Sequence, residues 1–107
     1  MASKEIHLIA TLKAVPGKLD DLAAVFDGVA KKIHDTEPGT LTWYAVKAEG
    51  ADELIVVERY KDAEALQVHS SSGHLKSLSQ SLGPLLAGPP VIKKGPQVAG
   101  FRRDEKL

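Results

Sequence analysis

Hydrophobic and polar positions repeat with two different periods in the first half of the chain, and each period predicts one kind of element. Residues 5–13 alternate with a period of two, which is typical of a strand, and place Ile6, Leu8, Ala10 and Leu12 on one side. Over residues 18–35 apolar side chains recur every three or four positions, which predicts an amphipathic helix. Glu-Pro-Gly at 37–39 ends this helix, because the residue before a proline avoids helical geometry.

The second half of the chain predicts further strands and a pair of short helices. The predicted elements are strands at 40–48 and 53–60, helices at 63–69 and 74–82, and a final extended segment at 91–101. Asp62 is placed to cap the first of these helices. Gly95-Pro96 interrupts the final segment, which should therefore be bent or at a sheet edge. Residues 102–107 read as a solvated, flexible tail of a single domain that spans 1–107.

This order of elements predicts an α+β fold of the ferredoxin-like βαββαβ type, with a four-stranded antiparallel sheet and helices on one face. The third strand is apolar on both faces, because Leu54 and Val56 alternate with Ile55 and Val57. Helices can cover only one of those faces. The other apolar face must be buried by something else, and a second copy of the chain is the simplest partner. We therefore predict a homodimer that forms a dimeric α+β barrel. We assign the face of Leu54, Val56, Glu58 and Tyr60 to the barrel interior.

Composition narrows the class of function. The 107 residues carry 14 basic and 14 acidic side chains, a formal net charge of zero, which argues against nucleic acid or a membrane surface as a partner. Cysteine is absent, which excludes disulfide scaffolds, thiolate metal sites and a cysteine nucleophile. Charged residues interrupt the first ten positions and no apolar run approaches membrane-spanning length. We expect a soluble, cytoplasmic protein.

Two histidines near the predicted helix pair, His69 and His74, are the candidate catalytic residues. They are clustered groups that can transfer protons near neutral pH. The alternative is that both only hydrogen-bond to helix ends and loop carbonyls. A metal site is not predicted, because five positions along a helix do not place two side chains on one face and no third ligand is evident. The sequence also lacks a glycine-rich phosphate loop, so we predict no cofactor.

Aromatic and acidic residues on the second and third strands are the candidate substrate contacts. Trp43 and Tyr44 are adjacent on a strand and must face opposite ways, so Tyr44 is expected in the barrel pocket and Trp43 under the helices. Tyr60 and Glu58 share a face of the third strand. The predicted substrate-binding residues are therefore Tyr44, Tyr60, Trp43 and Glu58. The alternative for Glu58 and Arg59 is an ion pair or a brace of the dimer.

Three runs of sequence, taken in order, resemble one known family. They are E-P-G-T-L-T-W-Y at 37–44, V-V-E-R-Y-K-D-A-E-A at 56–65 and H-S-S-S-G-H-L-K at 69–76. Together they resemble the antibiotic biosynthesis monooxygenase family of dimeric α+β barrels. The resemblance implies a homodimer with one small pocket per subunit, either between sheet and helices or inside the barrel.

The function implied by this resemblance is oxidation of a small phenolic, quinol or polyketide-type aromatic by molecular oxygen without metal or flavin. His69 is the first choice for the base or orienting group, and His74 is the second. Tyr60 stands where oxygenase members often carry tryptophan, and Val56 where they carry asparagine. Ser79 stands where haem-degrading members need an axial histidine, which argues against haem degradation. The alternatives are a non-oxygenase cyclase or isomerase, and a non-catalytic ligand-binding dimer.

Overall fold

Every predicted strand and helix is present in the computed structural model of the protein, which describes residues 4–103. The strands are β1 (Ile6–Lys13), β2 (Thr40–Lys47), β3 (Glu53–Tyr60) and β4 (Val91–Gly95). The helices are α1 (Leu19–Thr36), α2 (Ala63–Ser70) and α3 (Gly73–Leu82), followed by one 3₁₀ turn (Gly83–Leu85).

The four strands form one antiparallel sheet in the order β2-β3-β1-β4. The two central strands, β1 and β3, pair along their whole length, from Ile6 opposite Tyr60 to Lys13 opposite Glu53. This strand order, with the helices on one face, confirms the predicted ferredoxin-like fold.

The amphipathic helix α1 supplies most of the helix layer. Its buried face consists of Leu22, Phe26, Val29 and Ile33, at the spacing that the sequence predicts. The opposite face is charged and includes an ion pair between Lys31 and Asp35, one helical turn apart. Among the described residues, no helix is long and apolar enough to cross a membrane.

The face of β3 that we assigned to a barrel interior packs instead under the helices, so that assignment is wrong. Leu54, Val56, Glu58 and Tyr60 are all buried, and they align with the buried side of β1, where Leu8 pairs with Glu58 and Ala10 with Val56. Leu54 and Val56 are as apolar as Ile55 and Val57, so the strand pattern alone could not distinguish the two faces. Consequently the two substrate candidates of this strand, Glu58 and Tyr60, lie inside the subunit.

The other face of the sheet is open. It carries Ile9 of β1, and Tyr44 and Val46 of β2, which are each about half exposed at 50, 51 and 45 %. Ile55 and Val57 of β3 lie between them and are partly buried. The sheet is therefore apolar on both faces, as the sequence predicts.

The last strand is shorter than predicted. It ends at Gly95 rather than continuing to Phe101, because Pro96 has no backbone N–H for the ladder. Arg102 and Arg103 are exposed outside any helix or strand, and the rest of the predicted tail lies outside the described residues.

Candidate active site

A buried carboxylate, Glu37, organises a polar cluster under one end of the sheet. It follows the last turn of α1, where the backbone N–H of Glu37 donates to Ile33, and its side chain is only 3 % exposed. A helix C-terminus disfavours negative charge, so the carboxylate needs other donors. Thr40 Oγ donates to Oε1 at 2.8 Å, Nδ1 of His69 lies 2.7 Å from the same oxygen, and Nε2 of His74 bonds to Oε2.

A break between two helices brings both histidines to this carboxylate. His69 lies in the last turn of α2, and His74 lies in the first turn of α3. Ser72 caps α3 by accepting from the backbone of Leu75 at 3.2 Å, and it also donates to the carbonyl of His69. The two side chains therefore converge from different helices. The two histidines are not five positions apart on one helix, so the spacing used to argue against a metal pair does not apply to them.

Glycine at position 39 lets α2 approach closely enough to place His69. A Cβ added at Gly39 would lie 2.6 Å from the Cβ of Ala65, a buried residue in the first turn of α2. Asp62 fixes the start of that helix, since its side chain accepts from the backbone of Ala65 at 2.8 Å. The predicted cap is thus confirmed. Because it fixes the first turn of α2, it also fixes the position of His69 in the last turn.

The cluster continues from His69 to β3. Nε2 of His69 lies 3.6 Å from Oε1 of Glu58, and the hydroxyl of Tyr60 donates to that same oxygen. The rings of Tyr60 and His69 are in contact, with centroids 5.3 Å apart. His69, Tyr60 and Glu58 are all at least nine-tenths buried, whereas His74 is partly exposed. The result is a row of groups from His74 through Glu37 and His69 to Glu58 and Tyr60.

The pKa values of the two carboxylates in the cluster are shifted in opposite directions. Burial opposes ionisation of Glu37, but the hydrogen bonds from His74, Thr40 and His69 outweigh it and lower the pKa of Glu37. Burial dominates at Glu58 and raises its pKa, although the Tyr60 hydroxyl acts in the other direction. Burial, followed by the bond to Glu58, raises the pKa of Tyr60 far above its ordinary value. Tyr60 is therefore a neutral donor.

An apolar cavity of about 380 Å³ lies between α1 and β2, and the polar cluster is one side chain away from its wall. Its wall contains Phe26 stacked on Trp43, with ring centroids 5.5 Å apart and an interplanar angle of 18°. Trp43 pairs with Glu58 across the β2–β3 ladder, so the two side chains are neighbours on the same face of the sheet. The cavity and the polar cluster are therefore side by side under the sheet. Two smaller cavities, of about 200 and 180 Å³, reach Glu37 and His74 respectively.

Four of the six predicted site residues come together in the cluster or at its edge. They are His69, His74, Tyr60 and Glu58, and Trp43 lies beside them in the cavity wall. Tyr44 is on the open face of the sheet, as its alternation with Trp43 predicts, and at the edge strand it also borders the cavity between α1 and β2. Glu58 and Arg59 face opposite ways and do not pair with each other; Arg59 lies 3.9 Å from Glu5.

The sequence interpretation missed Glu37 and Thr40, which it treated as a helix stop and a strand start. The available signal was a carboxylate at the end of an amphipathic helix, where the helix dipole is unfavourable for it. Within residues 4–103 no group of three or more His, Cys, Asp or Glu side chains is arranged to hold a metal ion.

Comparison with known families agrees with this architecture. The sequence pattern of the family described as antibiotic biosynthesis monooxygenase matches residues 5–80. A crystal structure from Caulobacter crescentus, assigned to the antibiotic biosynthesis monooxygenases, is 31 % identical with a TM-score of 0.85, over 91 % of this chain and 92 % of that one. No curated protein matches the chain.

Two further solved structures are similar. A protein of unknown function from Nitrosomonas europaea is 25 % identical with a TM-score of 0.80, over 98 % of this chain and 100 % of that one. A Mycobacterium tuberculosis protein is 22 % identical with a TM-score of 0.82, over 92 % of this chain and 99 % of that one, which shows a shared fold.

Proposed function

The chain belongs to the antibiotic biosynthesis monooxygenase family, and from this premise we propose that it is a cofactor-independent monooxygenase of a small phenolic, quinol or polyketide-type aromatic. One observation carries the proposal: Glu58 of the buried Glu58–His69 pair is the cross-strand neighbour of Trp43, which forms part of the aromatic wall of an apolar cavity. Such a cavity suits a planar apolar ring, and its size falls in the usual range for small-molecule sites.

The substrate ring packs in the cavity against Phe26 and Trp43. Its phenolic oxygen is directed along the sheet toward Glu58, the cross-strand neighbour of Trp43. Offset stacking of aromatic rings contributes about 0.5–1.5 kcal/mol beyond the burial of apolar surface. The cavity lining also carries one side chain of each charge, Asp27 and Lys47, and Lys47 is already bonded to Asp20.

The Glu58–His69 pair accepts the phenolic proton as a relay. The raised pKa of Glu58 favours its protonated form, so Oε1 passes that hydrogen to the lone pair on Nε2 of His69 while Oε2 takes the hydrogen of the phenol. Nε2 of His69 and Oε1 of Glu58 are 3.6 Å apart, and they must approach to about 2.6–3.2 Å for proton transfer, as catalytic groups commonly do when substrate binds. The positive charge that forms on His69 is stabilised by the ionised Glu37 at its other nitrogen. His69 therefore remains the first candidate for the catalytic base. His74 does not reach Glu58 and supports the pair through Glu37.

The substrate supplies the electrons. The phenolate transfers an electron to molecular oxygen, and the two radicals combine at a ring carbon that carries hydrogen. One oxygen atom stays on that carbon as a carbonyl, and the other leaves as water with the ring proton and the proton held by the base. In sum, a phenol and one O₂ give a quinone and one water. A base in this position contributes about 10²- to 10⁴-fold in rate.

The open face of the sheet supports a homodimer as part of the same proposal. Members of this family are commonly dimeric. Ile9, Tyr44 and Val46 form an apolar surface there that a second copy would bury. In that dimer Tyr44 lines the space between the two sheets, which keeps it as a candidate substrate contact of the barrel interior.

The proposal is tested by supplying purified protein with phenols and naphthols that have an unsubstituted position para to the hydroxyl. We expect oxygen uptake in step with quinone formation, and loss of both in a folded His69→Ala variant. Conversion without oxygen uptake would instead indicate a cyclase or isomerase. A ligand-dependent rise in melting temperature with no conversion would indicate a non-catalytic binder.

A further inference from the structure

Glu37 binds two histidines with its two oxygens, which suggests a role beyond closing a helix. We propose that Glu37 is the positioning residue of the active site, and that it fixes the tautomer in which His69 presents a lone pair to Glu58. This inference rests on the proposed function for its catalytic meaning, but the tautomer itself is a property of the ligand-free protein.

The tautomer follows from the geometry of His69. An ionised carboxylate can only accept hydrogen bonds, so Nδ1 of His69, at 2.7 Å from Oε1 of Glu37, must carry the hydrogen. A neutral imidazole has one N–H, and its lone pair is then on Nε2. That nitrogen lies 3.6 Å from Oε1 of Glu58. Glu37 therefore directs the basic nitrogen of His69 toward Glu58 and the cavity beyond it, as the carboxylate of a catalytic triad directs its histidine.

The remaining neighbours of Glu37 favour its ionised form, which can only accept hydrogen bonds. Thr40 of β2 donates to Oε1, and His74 of α3 donates to Oε2 through Nε2. The other charged side chains around the adjoining cavity are Lys61, Asp62 and Glu64. The resulting low pKa of Glu37 agrees with a carboxylate that stays ionised beside the histidines. His74 thus acts through Glu37 and is a second positioning residue.

The test is nitrogen NMR of the histidine rings in ligand-free protein, at a pH where His69 is neutral. We expect Nδ1 of His69 to be protonated and Nε2 to be bare. Glu37→Leu leaves Nδ1–H of His69 without this acceptor, so we expect the Nε2–H tautomer or a mixture, together with a fall in kcat of about 10²- to 10⁴-fold. Glu37→Asp retains an acceptor-only group and should restore the Nδ1–H tautomer.

Glu64→Gln is the matched control, because Glu64 lines the same small cavity from α2 but is exposed and makes no bond to either histidine among the described contacts. It should change neither the tautomer nor the rate. A wild-type spectrum with hydrogen on Nε2 of His69 would overturn the inference without any variant, so a variant that fails to fold leaves the test intact. If the tautomer is as expected and no phenol is oxidised, the positioning role stands and the proposed function fails.

Discussion

Replacing Gly39 by alanine should destabilise the protein, because no space exists for the new methyl group. The added Cβ would lie 2.6 Å from the Cβ of Ala65, whereas ordinary contacts begin at 3.4 Å, so α2 must move by roughly 0.8 Å (3.4 − 2.6). Overpacking of this kind costs about 1–3 kcal/mol in unfolding free energy. The same shift would lengthen the 2.7 Å contact between His69 and Glu37, since His69 is carried by α2.

The assay is denaturant unfolding followed by the fluorescence of Trp43, the single tryptophan of the chain, at one fixed protein concentration. Gly28→Ala is the matched control. Gly28 is exposed in the middle of α1 with nothing within 4 Å of an added Cβ, so this change should stabilise by about 0.5–1 kcal/mol.

A double mutant separates the clash from other effects of the substitution. Once Ala65→Gly removes the opposing methyl group, the nearest atom to a Cβ at position 39 is the Cα of residue 65, at an ordinary 3.5 Å. Adding Gly39→Ala to that background should therefore cost nothing, although Ala65→Gly alone costs about 1 kcal/mol as a glycine in a helix. A Gly39→Ala protein as stable as wild type would refute this account of how α2 is placed.

Three further predictions concern the cluster and the open face. Because the pKa of Glu37 is lower in the folded than in the unfolded protein, unfolding free energy should fall as pH drops below the ordinary glutamate value of about 4.3, and circular dichroism should show a smaller fall in Glu37→Gln. Tyr60→Phe removes a donor to buried Glu58 and should cost about 1–3 kcal/mol in denaturant unfolding, whereas Tyr44→Phe, on the open face, should be neutral. Ile9→Asp should turn a dimer into a folded monomer by light scattering; a wild-type monomer at micromolar concentration would exclude the barrel.

The fold could be predicted from the sequence because local signals and hydrophobic period agree along most of the chain. The stripe of α1 and the cap at Asp62 are local properties, and both are present where expected. The orientation of β3 could not be predicted, since Leu54 and Val56 are as apolar as Ile55 and Val57. Only the long-range packing of α1 against the sheet decides which pair is covered.

The site was predicted only in part, because some of its residues are joined by long-range contacts that local patterns do not show. Proton chemistry identifies His69 and His74 without any structure, because few other side chains titrate near neutral pH. Glu37 is 32 and 37 positions away from them, and a local interpretation of Glu-Pro-Gly explains it fully as a helix end. The contact that joins the three residues exists only once α2 has packed against β2 and β3 and α3 has packed against α1.

The most direct measurement of the central claim is mass spectrometry of the product formed under isotopically labelled dioxygen, with the protein stripped by chelator and supplied only with a phenol. The account predicts a quinone that contains one labelled oxygen atom per molecule, formed by the wild type and not by a folded His69→Ala variant. A quinone that takes its new oxygen from water, or a rate that the His69→Ala variant retains, would contradict it.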